Sequence, residues 1–141
     1  MISEGIIGEG EIKVTCGDTA AAWGSGVLPV FATPAMILLI EKTASECLMP
    51  LLREGESTVG TLLEIKHSAP SAVGSEVRCR VEVVSVDRSK ILFDVRVRDS
   101  AGEIGSGRHE RFLVSNEKFM SSANARLDDC FRPRISPGPE Q

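Results

Sequence analysis

Residues 33–49 read TPAMILLIEKTASECLM, and this stretch decides the fold. Thr33-Pro34 sets a hydroxyl at an N-cap and a proline at the first helical position, where its missing N–H costs nothing. The spacing predicts a helix from there to about Met49, stopped by Pro50 or the Gly55 turn. Its first two turns are apolar on every side, so the expectation is a helix enclosed by protein rather than laid on a surface.

Outward from this helix the chain reads mostly as strands. Ile12 and Val14 alternate with charge in residues 6–15, a strand. Residues 16–30, rich in Gly, Ala and small polar groups, read as a connector or short helical turn. Downstream, Ser57–Ser68, Glu76–Val86, Lys90–Arg98 and Glu103–Val114 read as four strands in a meander. Alternation is clear in Val77/Cys79/Val81/Val83 and in Ile91/Phe93/Val95/Val97. Residues 116–127 suit a short amphipathic helix, and the Pro-rich 132–141 suits a disordered tail. The fold class is therefore α+β: one domain over 1–131, a single long helix wrapped by one curved antiparallel sheet. Such a sheet leaves free edges and a half-covered face, for which pairing of two copies is a natural remedy.

Composition narrows the function. The chain has 141 residues, 42% hydrophobic and 26% charged, enough for a core without disulfides or a structural metal. Its net charge of −4 argues against a nucleic-acid-binding protein. Cys16, Cys47, Cys79 and Cys130 form no C-x-x-C pair and only two histidines are present, so no metal site is expected and the thiols read as reduced. The longest apolar run, Pro34 to Ile40, is far short of the roughly 20 residues that span a bilayer. No signal peptide is legible, and the expectation is a cytoplasmic protein without membrane partners.

Two polar residues lie on apolar faces. Glu41 has Ile37, Leu38, Ala44, Ser45 and Leu48 as helical neighbours, while Lys42, Thr43 and Glu46 point elsewhere. A carboxylate there either marks a wet helix edge or has a partner at a functional site. His67 ends the row Val59, Thr61, Leu63, Ile65 set by period two along its strand. It is either a satisfied structural histidine or one half of an acid–imidazole pair. Thr33 is a helix cap or a hydroxyl facing a pocket at the helix's positive end. Gly60, inside a strand, marks a bulge or a close approach. Arg78, Arg80, Arg96 and Arg98 share a solvated face with Glu82 and Asp94, and Gly105 to Arg111 leave room for a ligand near the backbone. No G-x-S-x-G elbow is present.

Taken together, Phe31-Ala32-Thr33, Glu41 eight residues later, Gly60-Thr61 with His67, and Gly107-Arg108-His109-Glu110-Arg111 resemble the fluoroacetyl-CoA thioesterase-like branch of the hotdog-fold superfamily. The resemblance runs from about residue 6 to Phe119. It implies a hotdog fold, with five antiparallel strands around one central helix. It also implies a homodimer with interface sites and hydrolysis of a short acyl-CoA thioester without a cofactor. Its catalytic Thr, Glu and His map onto Thr33, Glu41 and His67, and its glycine and arginine onto Gly60 and Arg111. On this reading His67, oriented by Glu41, serves as base, and Thr33 attacks or positions water. Ile37, Leu38 and Val59 form an apolar wall for the acyl group. Members specific for fluoroacetyl-CoA carry aromatic residues just before the Phe-Ala-Thr. Here Gly24 to Pro29 hold no ring, which points to a general small acyl-CoA or another thioester. The alternatives are a hotdog dehydratase or hydratase, which also pairs an acid with a His, and a non-catalytic acyl-CoA-binding protein.

Overall fold

The computed structural model describes residues 1–131 and runs β1 (Ile7–Lys13), α1 (Ala20–Trp23), α2 (Thr33–Leu48), β2 (Glu56–His67), β3 (Glu76–Asp87), β4 (Lys90–Asp99), β5 (Gly102–Ser115) and α3 (Asn116–Phe131). The tail expected over 132–141 lies outside the described residues. The five strands form one antiparallel sheet in the order β1-β3-β4-β5-β2. Only β3, β4 and β5 form a meander. The expected four-strand meander is corrected because β2 lies beside β5, leaving β1 and β2 as the two edges.

The core is aliphatic. Met36, Leu39, Ile40 and Ala44 of α2 pack against Val77, Val81, Phe93, Val95 and Val97 from the inner rows of β3 and β4. Thr43, expected on the solvent side, is buried and donates its hydroxyl to Leu39 O at 2.7 Å. Returning the hydroxyl to its own helix satisfies it inside the core. The helix is not enclosed on all sides as its apolar first turns suggested. The sheet covers one side, and Leu38 stays 55% exposed.

Two further readings are revised. The residue flanking α2 is Ala32, which offers no capping side chain, so Thr33 and Pro34 are the first two residues of the helix and the threonine hydroxyl is free for other work. Gly105 and Gly107 do not leave room for a ligand. A Cβ on Gly105 would meet Met36 Sδ at 2.8 Å, and Gly107, at φ +152°, lies against the Glu64 backbone. Their bareness lets α2 and β2 close on β5. The outer arginines behave as read: Arg78 pairs with Glu11, and Arg96 with Asp94 and Glu103, all in solvent. The four cysteines are free. Among the described residues no helix is long and apolar enough to cross a membrane.

Candidate active site

At one end of α2, the Thr33 hydroxyl lies 2.8 Å from His67 Nδ1. The contact exists because α2 begins beside the last residue of β2. The pair opens on a recess of about 320 Å³ bordered by Ala20, Ser25, Val30, Phe31, Ala69 and Pro70. Phe31 sets its ring edge towards the imidazole, with centroids 6.4 Å apart. Burial pushes the His67 pKa below the ordinary 6.5, partly offset by the Ala69 backbone. The ring is therefore neutral at pH 7. In the tautomer in which Nδ1 accepts from Thr33, the proton sits on Nε2; that nitrogen is buried and has no hydrogen-bond partner among the described residues.

A second polar cluster lies farther along the same face. Glu41 Oε2 is 3.4 Å from Arg111 Nη1. Arg111 donates from Nε to Thr58 Oγ1 at 2.9 Å and from Nη2 to Thr58 O at 2.9 Å. Its Nη1 also faces His109 Nε2 at 3.2 Å. Arg111 is 5% exposed, whereas the Glu41 side chain is 40% exposed. Burial pushes the guanidinium pKa down, and Glu41 holds it up. Glu41 thus sits at a partly wet helix edge and also has a partner, a buried cation.

Gly60 explains how the carboxylate fits. A Cβ there would sit 2.5 Å from Glu41 Oε2 and 3.4 Å from Arg111 Nη1. The strand also carries a bulge between Gly60 and Leu62, as one reading of this glycine had it, and the group that approaches it is the Glu41 side chain rather than a ligand. The bulge changes which residues share a face. Gly60 pairs with buried Arg111 and Leu63 with buried His109, which puts Gly60, Leu63, Ile65 and His67 on the inner side. Thr61 and Val59 move to the outer side, where Thr61 donates to Glu110 Oε2 and Val59 pairs with Phe112. Val59 therefore does not join Ile37 in one wall, as strict alternation implied.

Within one chain Glu41 and His67 do not meet. Gly60, beside Glu41, and His67 are seven residues apart on β2, about 20 Å at strand rise. Thr33 and Glu41 are eight residues apart on α2, about 12 Å. The structure joins Thr33 with His67, and Glu41 with Gly60 and Arg111, as two separate half-sites. Thr58 and His109 are components the sequence reading did not single out as site residues. The period-two spacing of His109 and Arg111 behind two glycines was the available signal for the histidine.

Residues 14–117 match the family of fluoroacetyl-CoA-specific thioesterases. The chain belongs to that family. Membership makes it an enzyme of the acyl-CoA thioesterase class. A fluoroacetyl-CoA thioesterase from Streptantibioticus cattleyicolor is 37% identical over 97 residues, covering 69% of this chain and 70% of the relative. A solved fluoroacetyl-CoA thioesterase superposes with a TM-score of 0.83 at 28% identity, covering 89% of this chain and 98% of that one. A thioesterase superfamily member from Thermus thermophilus gives the same TM-score, 0.83, at 28% identity over 93% and 96% of the two chains. The family's hotdog fold is the one built here, a curved five-stranded sheet around a long helix.

Acid should loosen this thioesterase through its histidines. His67 and His109 are both depressed below 6.5, chiefly by burial. A depressed folded-state pKa means the unfolded chain binds the protons first. The stabilising effect is complete above 6.5 and is lost as pH falls through the folded values. The melting temperature should therefore drop as pH is lowered below 6.5, before the carboxylates titrate. A melting temperature flat from pH 7 to 5 would contradict the neutral, buried rings.

Proposed function

We propose that the protein hydrolyses a small acyl-CoA thioester at sites completed by two copies of the chain, each site combining Thr33 and His67 with Glu41 of the partner subunit. The observation that carries this is the 2.8 Å Thr33–His67 contact at the edge of an open recess. A neutral imidazole accepting from a hydroxyl is poised to take its proton as that oxygen attacks a carbonyl. Either Thr33 Oγ attacks, the carbon–sulfur bond breaks as His67 returns its proton to the CoA sulfur, and a water then hydrolyses the acyl-Thr33 ester to the free acid, or Thr33 holds a water that attacks the carbonyl directly and the acid and the CoA thiol leave in one hydrolysis. The N-terminus of α2 favours the negative charge that develops on the thioester oxygen.

Glu41 is a 40% exposed carboxylate whose open side carries no imidazole of its own chain among the described residues, and the Thr33–His67 pair is open to solvent at Thr33. β2 is a free sheet edge. Antiparallel pairing of two β2 edges about a two-fold near mid-strand sets the His67 end of each against the Gly60 region of the other. The bulge is what makes this productive, because it turns Gly60 and His67 to the same inner face. The same pairing covers Leu38 and the open flank of α2. The recess is small, which suits a short acyl group, and no aromatic side chain between Gly24 and Pro29 selects for a fluorinated one.

Subunit complementation tests the shared site. Chains carrying H67A and chains carrying E41A are each expected to be inactive. Unfolded together and refolded as a random mixture, they should recover about a quarter of wild-type thiol release, because half the dimers are mixed and each holds one intact site. No recovery, with mixed dimers shown to form, would overturn the arrangement. A protein that remains monomeric yet active would do the same.

A further inference from the structure

His109 is fully buried on the inner face of β5, yet none of the steps above uses it. Burying an imidazole is costly unless both ring nitrogens are satisfied. Its two nitrogens face opposite chemistries. Nδ1 is 2.9 Å from Leu62 O, a group that only accepts, so Nδ1 carries the proton. Nε2 is 3.2 Å from Arg111 Nη1, a group that only donates, so Nε2 offers its lone pair. One neutral tautomer satisfies both contacts. Phe93 stacks on the ring, with centroids 6.1 Å apart, and fixes its plane.

Arg111 is equally committed. Thr58 takes Nε and Nη2, leaving Nη1 as the nitrogen shared between His109 and Glu41. A planar guanidinium held at all three nitrogens has one orientation. We propose that His109 is a positioning residue which, as the neutral Nδ1–H tautomer, holds Arg111 so that Nη1 fixes the Glu41 carboxylate in its place over Gly60. This rests on the reading that Glu41 completes the active site. The charged groups acting on the imidazole are Arg111 on β5 and Glu41 on α2 from the inner face, with Glu110 of β5 acting from the outer face. β2 contributes only the Leu62 carbonyl, and β4 the Phe93 ring. Burial disfavours the imidazolium, with the Leu62 carbonyl and the two carboxylates pulling the other way and the guanidinium adding to burial. Protonating Nε2 would turn an N–H against Arg111 and release it.

The test compares H109F, H109Q and E41Q on acetyl-CoA, read by thiol release, alongside nitrogen NMR of the histidine rings in the wild-type protein. H109F keeps the stack on Phe93 and loses both hydrogen bonds. It should lower kcat by between about 10- and 100-fold, the scale of a modest misplacement of a catalytic group, with KM little changed. H109Q, whose Oε1 takes the place of Nε2, should recover most of that loss. The NMR spectrum should show His109 with its proton on Nδ1. Wild-type kcat in folded H109F while E41Q is impaired would overturn the positioning role alone, and wild-type kcat in E41Q would overturn the Glu41 reading and this proposal with it. Should H109F fail to fold, H109Q at wild-type levels of order but with kcat reduced 100-fold, or a proton found on Nε2, would also overturn it.

Discussion

Replacing His67 with Ala should cut kcat for acyl-CoA hydrolysis by roughly 10²–10⁴, the span typical of a lost general base. That corresponds to about 3–5 kcal/mol of barrier. The direction follows from one contact. Thr33 Oγ is 2.8 Å from Nδ1, and no other imidazole or carboxylate of the chain makes a hydrogen bond to it among the described residues. Without the ring, the hydroxyl has nowhere to send its proton. The loss should fall on kcat more than on KM, since the ring borders the recess but does not fill it. The same assignment fixes a pH dependence. A base must be neutral to act, so kcat should fall on the acid side; burial moves that limb to lower pH and the partner subunit's Glu41 carboxylate moves it back up. Thiol release measured from pH 4.5 to 8 checks this. Near-wild-type turnover in H67A, or an acid limb that survives unchanged in it, would remove His67 from the chemistry. T33A should lose activity while keeping the acid-side inflection.

The elements were legible because local patterning dictated them. The apolar run after Thr33-Pro34 can only be a buried-face helix, and the alternation in β3 and β4 leaves one reading of their faces. Long-range choices were not legible. Whether β2 pairs with β3 or β5 depends on how the sheet curls around α2, and no residue spacing within β2 reports it. The bulge at Gly60 was legible, but its effect on the facing of β2 was not. One extra residue reverses the facing of everything before it, so Val59 and Thr61 left the inner row and Gly60 joined it. Glu41 and His67 were both recognised as out of place on apolar faces, and each does have a specific partner. The partners themselves, Arg111 and Thr33, became visible only when tertiary structure brought together residues seventy and thirty-four apart. The Thr33 hydroxyl also had a simpler explanation as a cap. Its true position one residue inside the helix is what frees it for His67.

Replacing Arg111 with Leu should produce the largest loss of stability of any single change in the site, about 3 kcal/mol. Removing one partner of a buried ion pair costs about 3–5 kcal/mol when the other is left stranded. Glu41 is half in water and recovers much of its hydration, which argues for the lower end. Other acceptors have no such escape. His109 Nε2 is buried on the inner face of β5 and would lose the donor it has among the described residues, and Thr58 O would lose one as well. Each stranded acceptor adds about 1–3 kcal/mol, offset by the apolar surface that leucine buries. For a domain of this size the melting temperature should fall by roughly 10 °C, compared at one protein concentration because the stability of the proposed dimer would depend on it. Activity should fall as well, since the Glu41 carboxylate loses the cation that holds it over Gly60. R111K separates charge from geometry: an ammonium keeps the positive charge but cannot reach Thr58, His109 and Glu41 together. It should therefore restore less than half of the lost stability. R111L melting within about 2 °C of wild type would mean that the hydrogen bonds around Arg111 contribute nothing net, since a change of that size is under 1 kcal/mol.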